Sequence, residues 1–216
     1  MSQQHQLSLP ASLYLLAWNT DKGKLTSTDT IGYVVRAGAL AELALRGLLT
    51  DADGWPAPVA GAPTGERALD ELLELIAGSR PLAWKGWINQ GVKPTLVAVR
   101  EQLTDAGHLD SGSRRLGGLV PVPAEELRSA GTADELRERA VRALRAEGPG
   151  TEVSDRDAAL VALAAAGGLR TVVSEAETRA YQQRLVALAG RGGPAFEALR
   201  RIVPELRETV EVAHAG

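Results

Sequence analysis

Between Asp29 and Gly47 the sequence spaces its apolar residues as a helix would use them. Ile31, Val34, Val35, Leu40, Leu43 and Leu45 supply one apolar surface, and Glu42 and Arg46 stand at the favourable i,i+4 spacing. Gly47 suits the left-handed residue that follows a helix C-terminus. Within this stripe sits Arg36, four residues before Leu40 and seven before Leu43. A guanidinium among apolar neighbours needs a partner. One reading is a structural salt bridge or a residue at the stripe's edge. The other is an anion site, because Arg can bind a phosphate through several donors at once. Arg100 carries the same ambiguity: it follows Val97 and Val99, precedes Leu103 and has Glu101 beside it.

Composition narrows the fold around that helix. Of 216 residues, 44% are hydrophobic, so a sizeable core can form. Only one Phe, three Tyr and four Trp are present, so the core must be built from Leu, Ala and Val. Abundant Ala, Leu, Arg and Glu favour helix. The expectation is an all-α fold in a single domain over residues 1–216. The absence of cysteine excludes a disulfide framework, a thiolate nucleophile and a Cys-based zinc site. A formal charge of −3 is unlike that of general nucleic-acid binders, which are usually basic, so attraction to phosphate must come from a local patch.

Targeting signals are sparse. Met1 to Gln6 lacks the charged and apolar regions of a signal peptide. The apolar run Ala158 to Leu169 falls short of the roughly 20 residues that span a bilayer and reads as a buried helix. The expected location is cytoplasmic, with any membrane contact peripheral.

Other elements follow from local chemistry. Pro10 suits a first helical turn with Ser8 as its cap, and Asn19 to Lys24 reads as a turn. Short strands or loop are expected from Leu48 to Ala60. Thr64 is expected to cap a helix over Glu66 to Ala77. Arg80 to Lys93 holds one short helix, and Pro94 opens another that ends before Gly107. Leu109 to Val122 reads as a β-hairpin closed by Pro121 and Pro123. Thr132 with Glu135 makes a capping box for a helix through Leu144. Three further helices are expected over Ser154 to Ala166, Glu175 to Ala189 and Ala195 to Val212, with Pro204 kinking or dividing the last.

No catalytic pattern emerges. His5, His108 and His214 lack the spacing of a metal site or an activated serine, and no phosphate-binding glycine fingerprint follows a strand. No catalytic residue, metal or cofactor is expected. The hairpin tip is more informative. Arg114, Arg115, Leu116 and Leu119 combine cations with apolar groups on one projection. Such a tip can dip into a lipid interface, act as the wing beside a DNA-reading helix over 95–106, or remain a solvated turn. The single cation of that helix, Arg100, argues against nucleic acid.

Four stretches taken in order resemble the Golgi phosphoprotein 3 family. They are Leu7-Ser8-Leu9 with Leu13 to Ala17 and Asp21-Lys22-Gly23; Arg36 to Gly47, especially Glu42-Leu43-Ala44-Leu45-Arg46-Gly47; Ala62-Pro63-Thr64-Gly65-Glu66 with Leu69-Asp70-Glu71; and Val99-Arg100-Glu101 with Leu103, running through Gly107 into the hairpin. The likeness covers about Leu7 to Val212. It implies a central helical bundle surrounded by amphipathic helices, with one projecting β-hairpin. It also implies a peripheral membrane protein that binds phosphatidylinositol 4-phosphate and holds membrane proteins by their cytosolic tails. The implied partner is an anionic phospholipid surface at the inner face of a membrane, an oligomer being compatible. The Ala/Arg/Gly-rich composition resembles that of a high-GC bacterium, so a bacterial member is expected. The family's phosphoinositide pocket uses one Trp and three Arg. Two of the arginines fall on Arg36 and Arg100; the third falls on Val97 and the Trp on Ser27.

Overall fold

The molecule is described here from a computed structural model, over residues 6–116, 120–146 and 152–215. Three helices are buried along most of their length: α1 (Leu9–Leu16), α2 (Ile31–Leu45) and α7 (Asp155–Ala166). They are apolar on nearly every face, which is what a helix at the centre of a bundle requires. In α2 every residue except Tyr33 and Leu45 is buried. Gly38 lets α1 and α2 cross closely: a Cβ there would lie 2.6 Å from Leu13 Cδ1 and 3.2 Å from the Pro10 backbone.

Amphipathic helices cover this centre. They are α3 (Arg67–Gly78), α4 (Trp84–Asn89), α5 (Val92–Asp105), α6 (Ala130–Arg145), α8 (Glu175–Ala180), α9 (Gln182–Ala189) and α10 (Pro194–Ala215). In α3 only Ala68, Leu69, Leu72 and Ile76 are buried, the i, i+1, i+4, i+8 pattern of a helix lying on a core. α10 packs its Phe196, Leu199, Ile202, Leu206 and Val210 stripe inward, and it contacts α2, α4 and α7. The fold is thus mostly α, with three small antiparallel pairs among the described residues: β1 (Trp18–Asn19) with β2 (Lys24–Leu25), β3 (Leu49–Ala52) with β4 (Trp55–Pro58), and β5 (Leu109–Leu116) with β6 (Val120–Leu127). No described helix is long and apolar enough to cross a membrane.

A buried ionic knot ties the centre together. Glu42 is fully buried, yet its carboxylate is saturated. Oε2 accepts from the Leu9 backbone N–H at 2.7 Å and from Arg156 Nη1 at 2.8 Å; Oε1 accepts from Arg46 Nε at 2.8 Å and Arg156 Nη2 at 2.6 Å. The expected Glu42–Arg46 pair is present and joined by a cation from α7. Glu42 also satisfies the first N–H of α1, while Ser8, at the cap position, makes no capping bond with its side chain.

Several expected boundaries move. Thr132 is not a helix cap: α6 begins earlier, at Ala130, after Ser129. The capping box is instead Ser174 with Glu177, at the start of α8. Thr64 precedes the cap position of α3, which is Glu66, and its hydroxyl donates to Asp70. The segment read as one helix over Glu175 to Ala189 is two, parted at Tyr181. Pro204 does not divide α10, which continues through it as one helix.

The β5–β6 ribbon runs five residues further than Val122. Its prolines do not stop it, because Pro121 faces Arg115 and Pro123 faces Ser113. Two positions apart, both prolines occupy the same kind of pair in the ladder, and a ribbon of two strands tolerates a missing N–H where a central strand of a wider sheet would not. Pro56 and Pro58 repeat this arrangement in β4, opposite Asp51 and Leu49.

Candidate functional site

Arg36 is only 2% exposed and no carboxylate pairs with it among the described residues. It reaches from α2 to the junction of α4 and α5. There Nε donates to the Trp87 carbonyl at 3.0 Å and Nη1 to Thr95 Oγ1 at 2.7 Å. Nη2 is buried without a hydrogen-bond partner. The salt-bridge reading of this residue therefore does not hold: its partners are neutral. Desolvation alone lowers its pKa from the ordinary value to about 10. The local backbone is shaped around the guanidinium. Gly91, the cap of α5, has φ +72°, and a Cβ there would lie 3.1 Å from Nη2 and 3.3 Å from Cζ. A glycine meets both demands, the left-handed conformation and the close approach.

Arg100 occupies a different setting. It lies five residues beyond Thr95 on α5, about 140° around the helix and about 7.5 Å along it. Its side chain is 45% exposed and its Nε donates to Glu125 Oε1 at 2.8 Å. Burial works against its charge, but the hydrogen bond to Glu125 and the nearby Tyr14 and Glu125 together outweigh this and the pKa rises above the ordinary value. Glu125 comes from β6 and also accepts a hydrogen bond from the buried Tyr14 hydroxyl. Burial first, and then this carboxylate, hold the Tyr14 phenol protonated well above its usual range. Tyr14, Glu125 and Arg100 thereby join α1, the hairpin and α5. They adjoin a surface depression of about 210 Å³ lined by Val97, Arg100, Glu101, Thr104, Asp105 and Glu125.

The positions matching the family's phosphoinositide pocket are consequently spread over three settings. Arg36 is sealed in the interior. Val97 and Arg100, at i and i+3 on α5, share the depression. Ser27 lines a separate groove of about 800 Å³ with Arg170, Arg207 and His214. The bond network around Glu125 was not legible in the sequence, since its partners Arg100 and Tyr14 are 25 and 111 residues away. Glu125 itself sits in β6, where it faces Ser111.

The hairpin's register gives its tip a definite order. Arg114 faces Val122, Arg115 faces Pro121 and Leu116 faces Val120. Leu119 lies outside the described residues. The base of β5 packs on α5, and with about 3.4 Å of rise per residue the distal pairs stand roughly 20 Å from Leu109. On α5 itself the exposed face carries Arg100 with Glu101 and Asp105, and Glu101 is paired with Arg67. That is a poor reading face for a nucleic-acid duplex, whose binders present clustered cations.

No curated protein is a significant match to the chain. A comparison with protein families matches residues 9–206 to Golgi phosphoprotein 3 (GPP34), which takes in α1 through most of α10. The match extends over most of the chain, which belongs to the Golgi phosphoprotein 3 family.

Proposed function

We propose that this chain is a peripheral membrane protein that binds anionic phospholipid head groups and works as an adaptor for the cytosolic tails of membrane proteins. The observation that carries the reading is the β5–β6 hairpin, whose register gathers Arg114, Arg115 and Leu116 with Val120, Pro121 and Val122 at its distal end. Cations beside apolar groups suit the boundary between head groups and acyl chains. Arg100, exposed near the hairpin's base, supplies a third cation for a lipid phosphate of the phosphatidylinositol 4-phosphate type. Arg36 serves the same site from behind: it fixes the first turn of α5, the helix that carries Arg100.

At about 1 kcal/mol per cation near an anionic surface, the two tip arginines give roughly 2 kcal/mol, or about 30-fold preference for anionic over neutral lipid, Arg100 being neutralised in part by Glu125. Attachment is therefore weak, reversible and screened by salt. Co-sedimentation of the full chain with neutral and anionic vesicles tests this. Binding to anionic vesicles, lowered about tenfold or more by Arg114→Gln with Arg115→Gln, is expected. Equal binding to both vesicle types, or no effect of that pair of substitutions, would overturn the reading.

A further inference from the structure

A slot between α9 and α10 lies apart from the hairpin and from Arg36 and Arg100. Its volume is about 230 Å³. Ala162 of α7, Leu185 and Ala189 of α9 are its buried apolar floor, and Val186, Val203 and Pro204 form its walls. Val186 is 64% exposed, although the slot beside it is apolar. Two cations, Arg200 and Arg207, flank the opening. They are seven residues apart on α10, two helical turns or about 10 Å, with Val203 and Pro204 between them.

Neither arginine is paired with a carboxylate among the described residues, although most arginines of this chain are. Arg200 donates only to the Arg191 backbone carbonyl, at 3.0 Å. The slot thus offers an apolar interior lined also by two arginines that make no ion pair among the described residues, Arg207 bordering in addition the groove that holds Glu175 and Glu211.

We infer that this slot binds a small amphiphilic anion: an acyl chain inside, and a carboxylate at the mouth held by Arg200 and Arg207. Size, polarity and charge each select for this class. An apolar cavity of about 150 Å³ accommodates a benzene ring, so about 230 Å³ takes roughly nine heavy atoms, near the length of an octanoyl chain. The apolar walls exclude a charged tail, because nothing in the floor would pair with it. The guanidiniums accept a carboxylate and repel an ammonium, and Arg makes planar two-donor contacts with carboxylates. The site is independent of the lipid-surface reading, and neither stands or falls with the other.

Methyl-region NMR titration of the full chain with octanoate, octanol and octylamine, all below their aggregation concentrations, tests the inference. Octanoate is expected to shift the Ala162, Val186, Ala189 and Val203 methyl signals saturably, with octanol weaker and octylamine weakest. Arg200→Ala with Arg207→Ala should weaken octanoate at least about fivefold and bring it level with octanol. Val186→Glu, at an exposed wall, should weaken octanoate without lowering octylamine binding. All three positions are exposed, so circular dichroism and the thermal midpoint should stay at wild-type values and separate lost binding from lost fold. No saturable shift at these methyls, equal affinity for octanoate and octylamine, or unchanged octanoate affinity in the double-arginine variant would each overturn it.

Discussion

Replacing Arg36 by Met asks whether a buried guanidinium without a counter-charge anchors the fold or burdens it. The fall of its pKa to about 10 comes from desolvation alone, and corresponds to on the order of 3 kcal/mol of uncompensated burial. The sign follows from proton linkage. A cation whose folded pKa is depressed opposes folding at every pH below that value, and the burden lifts only as pH rises through about 10. Neutral pH therefore carries the whole cost. Against it stand two bonds from a charged donor, to the Trp87 carbonyl and the Thr95 hydroxyl, worth about 1.5–3 kcal/mol each. Losing roughly 3–6 kcal/mol and regaining roughly 3 leaves a net cost of about 0–3 kcal/mol. Adding Thr95→Val removes the hydroxyl that Met would leave unpaired and should recover about 1 kcal/mol or more. Urea unfolding at pH 7 of the wild type, Arg36→Met and Arg36→Met/Thr95→Val measures all three. A single substitution costing more than about 5 kcal/mol, or a double variant less stable than the single one, would refute the reasoning.

Glu42 predicts the opposite behaviour. Burial raises its pKa, but the bonds from Arg156, the Leu9 N–H and Arg46 outweigh that and leave it below its ordinary value. Its stabilisation is present above the unfolded pKa and is lost as pH falls through the folded one; Glu42→Gln, leaving Arg156 without a carboxylate and Arg46 with Glu66 alone, should cost about 3–5 kcal/mol at pH 7 by urea unfolding and flatten the loss of stability below about pH 4. Gly91→Ala should destabilise more than Gly107→Ala in the same assay: both glycines have positive φ, at 72° and 75°, but only Gly91 lies against Arg36, whereas a Cβ on Gly107 meets nothing within 4 Å. Tyr14→Phe removes the hydroxyl that holds Glu125, so amide exchange in β5 and β6 should speed up by about tenfold while exchange in α2 stays unchanged.

The helices were readable because their signal is local. Apolar spacing located α2, α3, α5 and α7 to within a few residues; Ser154, read as the first residue of α7, is its cap. Boundaries failed where a distant residue competes for a capping group. Ser129 Oγ lies 2.9 Å from His108 Nδ1, a residue 21 positions away, and the helix begins there rather than at the better-looking Thr132. The ribbon's length was hidden for a different reason. Prolines look like terminators in a linear reading, and only the register reveals that Pro121 and Pro123 pair with Arg115 and Ser113 inside the ribbon.

The site shows the same division. The apolar stripe marked Arg36 as unusual, and its burial follows from that stripe. Its partners could not be read, because a carbonyl 51 residues away and a hydroxyl 59 residues away carry no charge pattern. The sequence likewise singled out Arg100 but not Glu125, since an i,i+25 ion pair depends on how the hairpin folds back on α5.

The central claim is that the hairpin tip meets an anionic lipid surface. The chain has no cysteine, so Leu119→Cys gives a unique attachment point for a polarity-sensitive fluorophore, and Glu74→Cys on the exposed face of α3 gives a matched control. On adding anionic vesicles, the emission of the Leu119 label should shift to the blue and return on raising the salt, while the Glu74 label and all neutral-vesicle samples stay unchanged. An unshifted Leu119 label, or equal shifts at both positions, would contradict the claim.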